Sequence, residues 1–150
     1  MKENILLTKS YTFALRMVKL YQHLSQEKRE FVLSKQTLRA GTSIGANIEE
    51  ANQAESRPDF IHKLAIANKE AFETHYWLRL LKDSEFLSEK LAQSLIDDCN
   101  ELRRLLTSSI KTSKIKKIGI FHFQFSIINY EKQDCFSYRG VERNRRRSRN

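Results

Sequence analysis

The stretch Leu38-Arg39-Ala40-Gly41-Thr42-Ser43-Ile44-Gly45-Ala46-Asn47-Ile48-Glu49-Glu50-Ala51 decides how this chain is read. At helical spacing, Leu38, Gly41/Thr42, Gly45, Ile48 and Asn52 fall on one stripe in steps of three and four, and Ala40, Ile44 and Ala51 widen it. A glycine inside a helix costs about 1 kcal/mol against alanine. Two of them one turn apart, with Ala40 and Ala46 beside them, imply a neighbouring helix packed closely enough to offset that cost. Ser43, Asn47 and Glu50 run along an adjoining face that Gln36 and Arg39 extend, which reads as a polar, hydrogen-bonded strip between helices. Arg39 is expected to meet a carboxylate across the bundle, with Glu73 as the candidate.

The same stretch contains the literal pattern G-x-S-x-G, Gly41-Thr42-Ser43-Ile44-Gly45. In a serine hydrolase that pattern occupies a sharp strand-to-helix turn, with an acid and a histidine later in the chain. Here both flanks are helical and no strand/helix alternation surrounds them, so a tightly packed helix is the better reading.

Working outward, Ser10 is expected to cap a first helix whose stripe is Phe13, Met17, Leu20/Tyr21 and Leu24, widened by Ala14 and Val18. It fades near Ser25, and a second helix from Gln26 or Glu27 to about Ala54 takes Phe31, Val32 and Leu33 as its first apolar turns. At about 1.5 Å per residue it would be near 40 Å long. Ser56-Arg57-Pro58-Asp59 is the clearest punctuation: a cap, a proline tolerated in a first turn, and an acid suited to the positive end of the helix dipole. The third helix carries Phe60, Leu64, Ala67, Ala71, Leu78 and Leu81, with Ile61, Phe72 and Tyr76 beside them. Trp77 suits either the core or a subunit contact. Ser84 is expected to cap a fourth helix through Leu87, Leu91, Leu95, Cys99/Leu102 and Leu105/Leu106, ending near Ile110. The fold expected is all-α, an up-down-up-down four-helix bundle over residues 1–112, with an irregular or partly disordered basic, aromatic-containing tail over 113–150.

Composition agrees. Of 150 residues, 30% are charged, 40% are hydrophobic, and only four are glycine and one proline, which favours a few long helices. Cys99 and Cys135 make neither a disulfide framework nor a metal pattern. The apolar Ile5-Leu6-Leu7 is too short for a signal peptide or a membrane span, so the expectation is a cytoplasmic protein with no membrane partner. Charge is uneven. Residues 1–112 hold 17 Lys+Arg against 15 Asp+Glu, and residues 113–150 hold 10 against 3, so the basic balance belongs mainly to the tail. In that tail Phe121, Phe123 and Phe125 alternate as in a strand, and Arg143, Arg145, Arg146, Arg147 and Arg149 follow. It reads as an unusual arm, a largely disordered segment or a frame running past an ancestral stop, the last two being favoured.

No chemistry-bearing constellation stands out. His23, His62, His75 and His122 form no i, i+4 pair and no H-E-x-x-H. Glu50 and Glu70-x-x-Glu73 resemble part of a bundle carboxylate site, but no histidine completes the Glu-x-x-His motif that such a site needs. No glycine loop cradles phosphate. The expectation is a non-enzymatic protein with no cofactor and no metal. A binding module remains, and a phosphate-binding face is made of Lys and Arg. The candidates are Lys63, Lys69, Arg79, Arg103 and Arg104 on the bundle and the five tail arginines.

Gln36, Leu38-Arg39, Ser43-Ile44, Asn47-Ile48 and Glu50, followed by Asp59-Phe60 and by Lys69-Glu70, Glu73-Thr74 and Tyr76-Trp77-Leu78, resemble the signature of the four-helix bundle 23S rRNA intervening-sequence proteins. That family is related to the accessory variability determinant of diversity-generating retroelements. The resemblance runs from about Lys9 to about Lys111. It departs at Ala51, where many members have glycine, and in the tail. It makes Arg39, Ser43, Ile44, Asn47, Glu50 and Glu73 the structural motif residues. It also implies a homo-oligomer, a pentameric ring whose central surface multiplies a modest charge per subunit, with RNA or DNA as ligand and a protein partner such as a reverse transcriptase. The alternative is a protein–protein scaffold that does not touch nucleic acid.

Overall fold

In the computed structural model the described residues are 4–115, and they form four helices: α1 (Ile5–Gln26), α2 (Leu33–Asn52), α3 (Arg57–Asp83) and α4 (Glu89–Ile115). Each packs most closely on its neighbours in the cycle α1, α2, α3, α4. Cross-contacts fix the directions. Met17 faces Gly41 while the earlier Ser10 faces the later Gly45. Glu50 pairs with Lys63, the Cys99 thiol reaches the Ala71 carbonyl, and Lys82 pairs with Glu89 at 2.7 Å. Lys9 pairs with Glu101 at 2.7 Å, and the later Arg16 with the earlier Asp98. Every neighbouring pair is therefore antiparallel, as the expected up-down-up-down topology requires. The contact of α1 with α4 is the thinnest of the four, and the last two ion pairs span it.

The core is built from the stripes at steps of three and four. Phe13, Met17 and Leu24 of α1 meet Ile44 and Ile48 of α2, Leu64, Leu78 and Leu81 of α3, and Leu95, Leu102 and Leu106 of α4. The two helix glycines do different work. A Cβ on Gly41 would lie 2.4 Å from Cγ of the fully buried Met17, whereas one on Gly45 would sit 3.5 Å from the Ser10 carbonyl oxygen, an ordinary contact. Buried hydroxyls are satisfied locally. Thr37 donates to the Leu33 carbonyl and Thr74 to the Glu70 carbonyl, each at 2.7 Å.

The helix ends correct several expectations. Ser10 caps nothing: it is buried within α1 and donates to the Leu7 carbonyl at 3.0 Å, while Asn4 accepts from the Leu6 and Leu7 N–H groups and starts the helix. The expected long second helix is shorter, 20 residues or about 30 Å, because α1 absorbs Gln26 and a turn intervenes. In that turn Arg29 takes a positive φ of 55°, and the Glu30 side chain folds over the start of α2. Its carboxylate accepts from the N–H groups of Val32 at 2.9 Å, Leu33 at 2.8 Å and Ser34 at 2.7 Å. Phe31 and Val32, expected in the first apolar turns of the second helix, lie exposed on the turn before it. Ser56 does cap α3, accepting from the Asp59 N–H, with Pro58 in the first turn. Ser84 instead closes α3, and Ser88 accepts from the Leu91 N–H to open α4. Leu91 is exposed, and Ala92 and Ile96 take its place in the core. The last helix continues to Ile115 rather than ending near Ile110, and the remainder of the tail, with its expected alternation and its arginines, lies outside the described residues.

Candidate nucleic-acid interface

Two polar seams flank α3. The first lies against α2 and carries the motif residues, but it is not the interhelical hydrogen-bonded strip expected. Asn47 donates from Nδ2 to the Ser43 carbonyl of its own helix at 2.8 Å, and Ile44 is fully buried core. Glu50 crosses to α3 and pairs with Lys63, which raises the Lys63 pKa through their hydrogen bond. Lys63 thus has a carboxylate partner on the neighbouring helix. Arg39 does not pair with Glu73. The Glu73 carboxylate accepts from the Trp77 indole N–H at 3.1 Å, and the charge of Arg39 is felt by Glu70 instead. Lys69 is exposed beside Glu70 and acts on the same carboxyl.

Glu70 is half-buried, and its pKa is pushed up first by burial and then by the neighbouring Glu73, with Arg39 and Lys69 pulling the other way. A carboxyl raised in the folded state holds its proton more tightly folded than unfolded. Its favourable contribution is complete below the unfolded value and is lost as pH rises through the folded one. Glu70→Gln is therefore expected to raise the thermal unfolding midpoint at neutral pH and to leave it unchanged at about pH 4. Equal midpoints of variant and parent at neutral pH would contradict this account.

The second seam, between α3 and α4, is cationic. The Arg103 guanidinium lies 3.8 Å over the Phe72 ring and donates to the Asn100 side-chain oxygen at 2.9 Å. His75 is half-buried here. Its pKa is lowered first by burial, then by the charges of Arg103 and Arg79, and no carboxylate offsets them. Among the described residues neither arginine forms an ion pair. Arg103 Nε and Asn68 Oδ1 are buried without a hydrogen-bond partner among the described residues, and helical spacing puts Asn68 on the face of Phe72 and His75. Phe72, expected beside the core, is 52% exposed, and Tyr76 is 50% exposed. Tyr76 packs edge-on to the half-buried Trp77, with ring centroids 5.0 Å apart, and the Trp77 indole bonds back to Glu73, so Trp77 lies on the partly exposed side of α3 next to Tyr76 rather than in the core.

Of the expected bundle cations, then, the fold sets Arg79 and Arg103 each within electrostatic reach of His75, ties Lys63 to Glu50 and leaves Lys69 beside Glu70. Arg104 is exposed on α4. Arg143, Arg145, Arg146, Arg147 and Arg149 lie outside the described residues. His75, Phe72 and Tyr76 were not among the expected site residues. A signal existed: Phe72, Tyr76 and Arg79 recur at helical spacing away from the Ala71, Thr74 and Leu78 stripe. Other candidate chemistry recedes. Ser43 lies inside a continuous helix, and burial pushes the Cys99 thiol up to about 12, far from a reactive thiolate at neutral pH. No group of His, Cys, Asp and Glu among the described residues is arranged to hold a metal ion, and none of their helices is long and apolar enough to cross a membrane.

The family model described as 23S rRNA-intervening sequence protein matches residues 2–108. The chain belongs to that family. A solved structure agrees with this 23S rRNA-intervening sequence family assignment. It is the crystal structure of a protein with unknown function from the S23 ribosomal protein family of Bacteroides thetaiotaomicron VPI-5482. That protein is 54% identical, superposes with a TM-score of 0.71, and is matched over 71% of this chain and 99% of its own. No curated protein matches. The resemblance carried by the α2 motif and the second block in α3 is thereby confirmed at the level of family and fold.

Proposed function

We propose that this 23S rRNA-intervening sequence family member acts by binding, not by catalysis, and that it binds RNA or DNA through the face formed by α3 and α4. One observation carries the reading: Arg79 and Arg103 converge on His75 without a compensating carboxylate. Placing like charges together is unfavourable until an anion arrives. Phosphate is the anion that a nucleic acid presents in series. The tail arginines add a second, sequence-independent attraction of the same kind.

The test is a salt series on the full chain with labelled RNA and DNA. Arg79→Gln combined with Arg103→Gln is expected to weaken binding roughly tenfold and to lower the slope of log K against log salt by about 2, one for each phosphate that an arginine no longer neutralises. An unchanged slope, with loss of binding only when the five tail arginines are replaced, would move the interface off the bundle.

A scaffold role is the second reading, favoured by Tyr11, Leu15 and Val18, which line the outward face of α1 and are 64%, 48% and 40% exposed. Such a ridge suits contact between copies, and the family resemblance implies a ring of five, with a protein partner such as a reverse transcriptase. Mass in solution tests the ring directly, since a monomer at micromolar concentration would rule it out.

A further inference from the structure

The aromatic side chains of this face define which nucleic acid it takes. We infer that the α3/α4 face is selective for single strands, with an unpaired base stacked on the Tyr76 ring while neighbouring phosphates meet Arg79 and Arg103. This rests on the nucleic-acid reading above and goes beyond it by naming the strand state of the ligand.

Three features support it. Phe72 and Tyr76 are each about half exposed and stand one helical turn apart on α3, beside the arginine pair. The T-shaped contact of Tyr76 with Trp77, at an interplanar angle of 72°, engages at most one face of the tyrosine ring and steadies it. Phe72 already holds the Arg103 guanidinium over its ring, which fixes that cation where a phosphate next to the stacked base would lie. Cations interleaved with exposed rings are the pattern by which single strands are held, because every unpaired base has a π-face. In a duplex the base faces are covered by stacking and only the backbone and the base edges are presented, so a duplex engages the arginines but not the Tyr76 ring. A protein partner is the less favoured occupant, since it would have to bring carboxylates to two arginines that pair with no carboxylate among the described residues.

The chain carries its own reporter. Trp77 is the one tryptophan of the sequence and touches Tyr76, so a base arriving there changes its fluorescence. The full chain is titrated with a short oligo-uridine or oligo-thymidine and, separately, with a blunt duplex of equal length. Trp77 emission and the anisotropy of labelled ligand are followed together. Single strands are expected to quench Trp77 and the duplex to leave it unchanged. Tyr76→Ala, at an exposed helix position that alanine favours, is expected to weaken single-strand binding roughly five- to a hundredfold, to spare duplex binding, and to be rescued by Tyr76→Phe. Equal quenching by duplex, or single-strand affinity unchanged in Tyr76→Ala, overturns the inference, while the arginine-dependent salt slope tests nucleic-acid binding separately. Overturned equally would be a Tyr76→Ala variant with lowered mass in solution and unaltered affinity, which would make the face a subunit contact.

Discussion

Replacing Glu30 by alanine is expected to cost about 3 kcal/mol of stability, or a fall of roughly 10 °C in the unfolding midpoint, although no hydrophobic contact is removed. The Glu30 carboxylate is buried and accepts three successive N–H groups, those of Val32, Leu33 and Ser34, that have no partner within α2. The Ser34 hydroxyl returns to the Glu30 carbonyl at 2.8 Å, which locks the turn from both sides. Alanine would leave those donors to water or to nothing. Burial pushes the Glu30 carboxyl up, but the N–H groups of Leu33, Ser34 and Val32 and the Ser34 hydroxyl together outweigh it and hold the pKa below its ordinary 4.5. For a carboxyl lowered in this way, the stabilisation is present above the unfolded value and disappears as pH falls through the folded one. The gap between parent and Glu30→Gln in denaturant melts should therefore be full at neutral pH and close on acidification below about pH 4. A gap that does not vary with pH would show that the charge is irrelevant and that only shape matters at this cap.

Gly41→Ala and Gly45→Ala should move stability in opposite directions. Alanine is the better helix former by about 1 kcal/mol at both positions. At Gly41 the new Cβ would lie 2.4 Å from Met17 Cγ and 2.9 Å from its Sδ, and Met17 is fully buried, so its side chain would have to shift within the core. Overpacking of that kind typically costs about 1–3 kcal/mol, so Gly41→Ala is expected to be net destabilising. At Gly45 the approach to the Ser10 backbone is an ordinary contact, so the propensity gain should survive. Denaturant melts of the two single variants decide the matter. Combining Gly41→Ala with Met17→Ala should cost less than the sum of the two, since truncating Met17 removes the clash and the new methyl fills part of the cavity that truncation leaves. Additive costs would mean that α1 and α2 do not meet at Met17 as described.

How legible the molecule was depends on which force places each residue. The stripes at steps of three and four in all four segments were readable because burial of apolar surface follows the helical period directly. Ser56-Arg57-Pro58-Asp59 was readable for a similar reason: proline and a capping serine restrict the chain wherever they stand. The turn between α1 and α2 was not. It contains no glycine or proline, Arg29 accepts a positive φ, and an acid four residues before Ser34 does the capping, so Phe31-Val32-Leu33 reads as helix. Ser84 reads as a cap because it offers the same chemistry as Ser88, four residues later, and only the hydrogen bonds distinguish them.

The candidate site divides along the same line. The family, the helix count and the close packing at Gly41 are local or periodic properties, and the linear order of side chains is enough to establish them. Which cations are spent and which remain available is a matter of distance between helices. Arg39 and Glu73 both lie in the motif yet do not pair, whereas Lys63 finds Glu50, and Arg79 and Arg103 arrive at His75 from different helices. Electrostatic energy depends on separation in space rather than along the chain, so the cationic α3/α4 face with Phe72 and Tyr76 exists only once α3 and α4 are packed side by side.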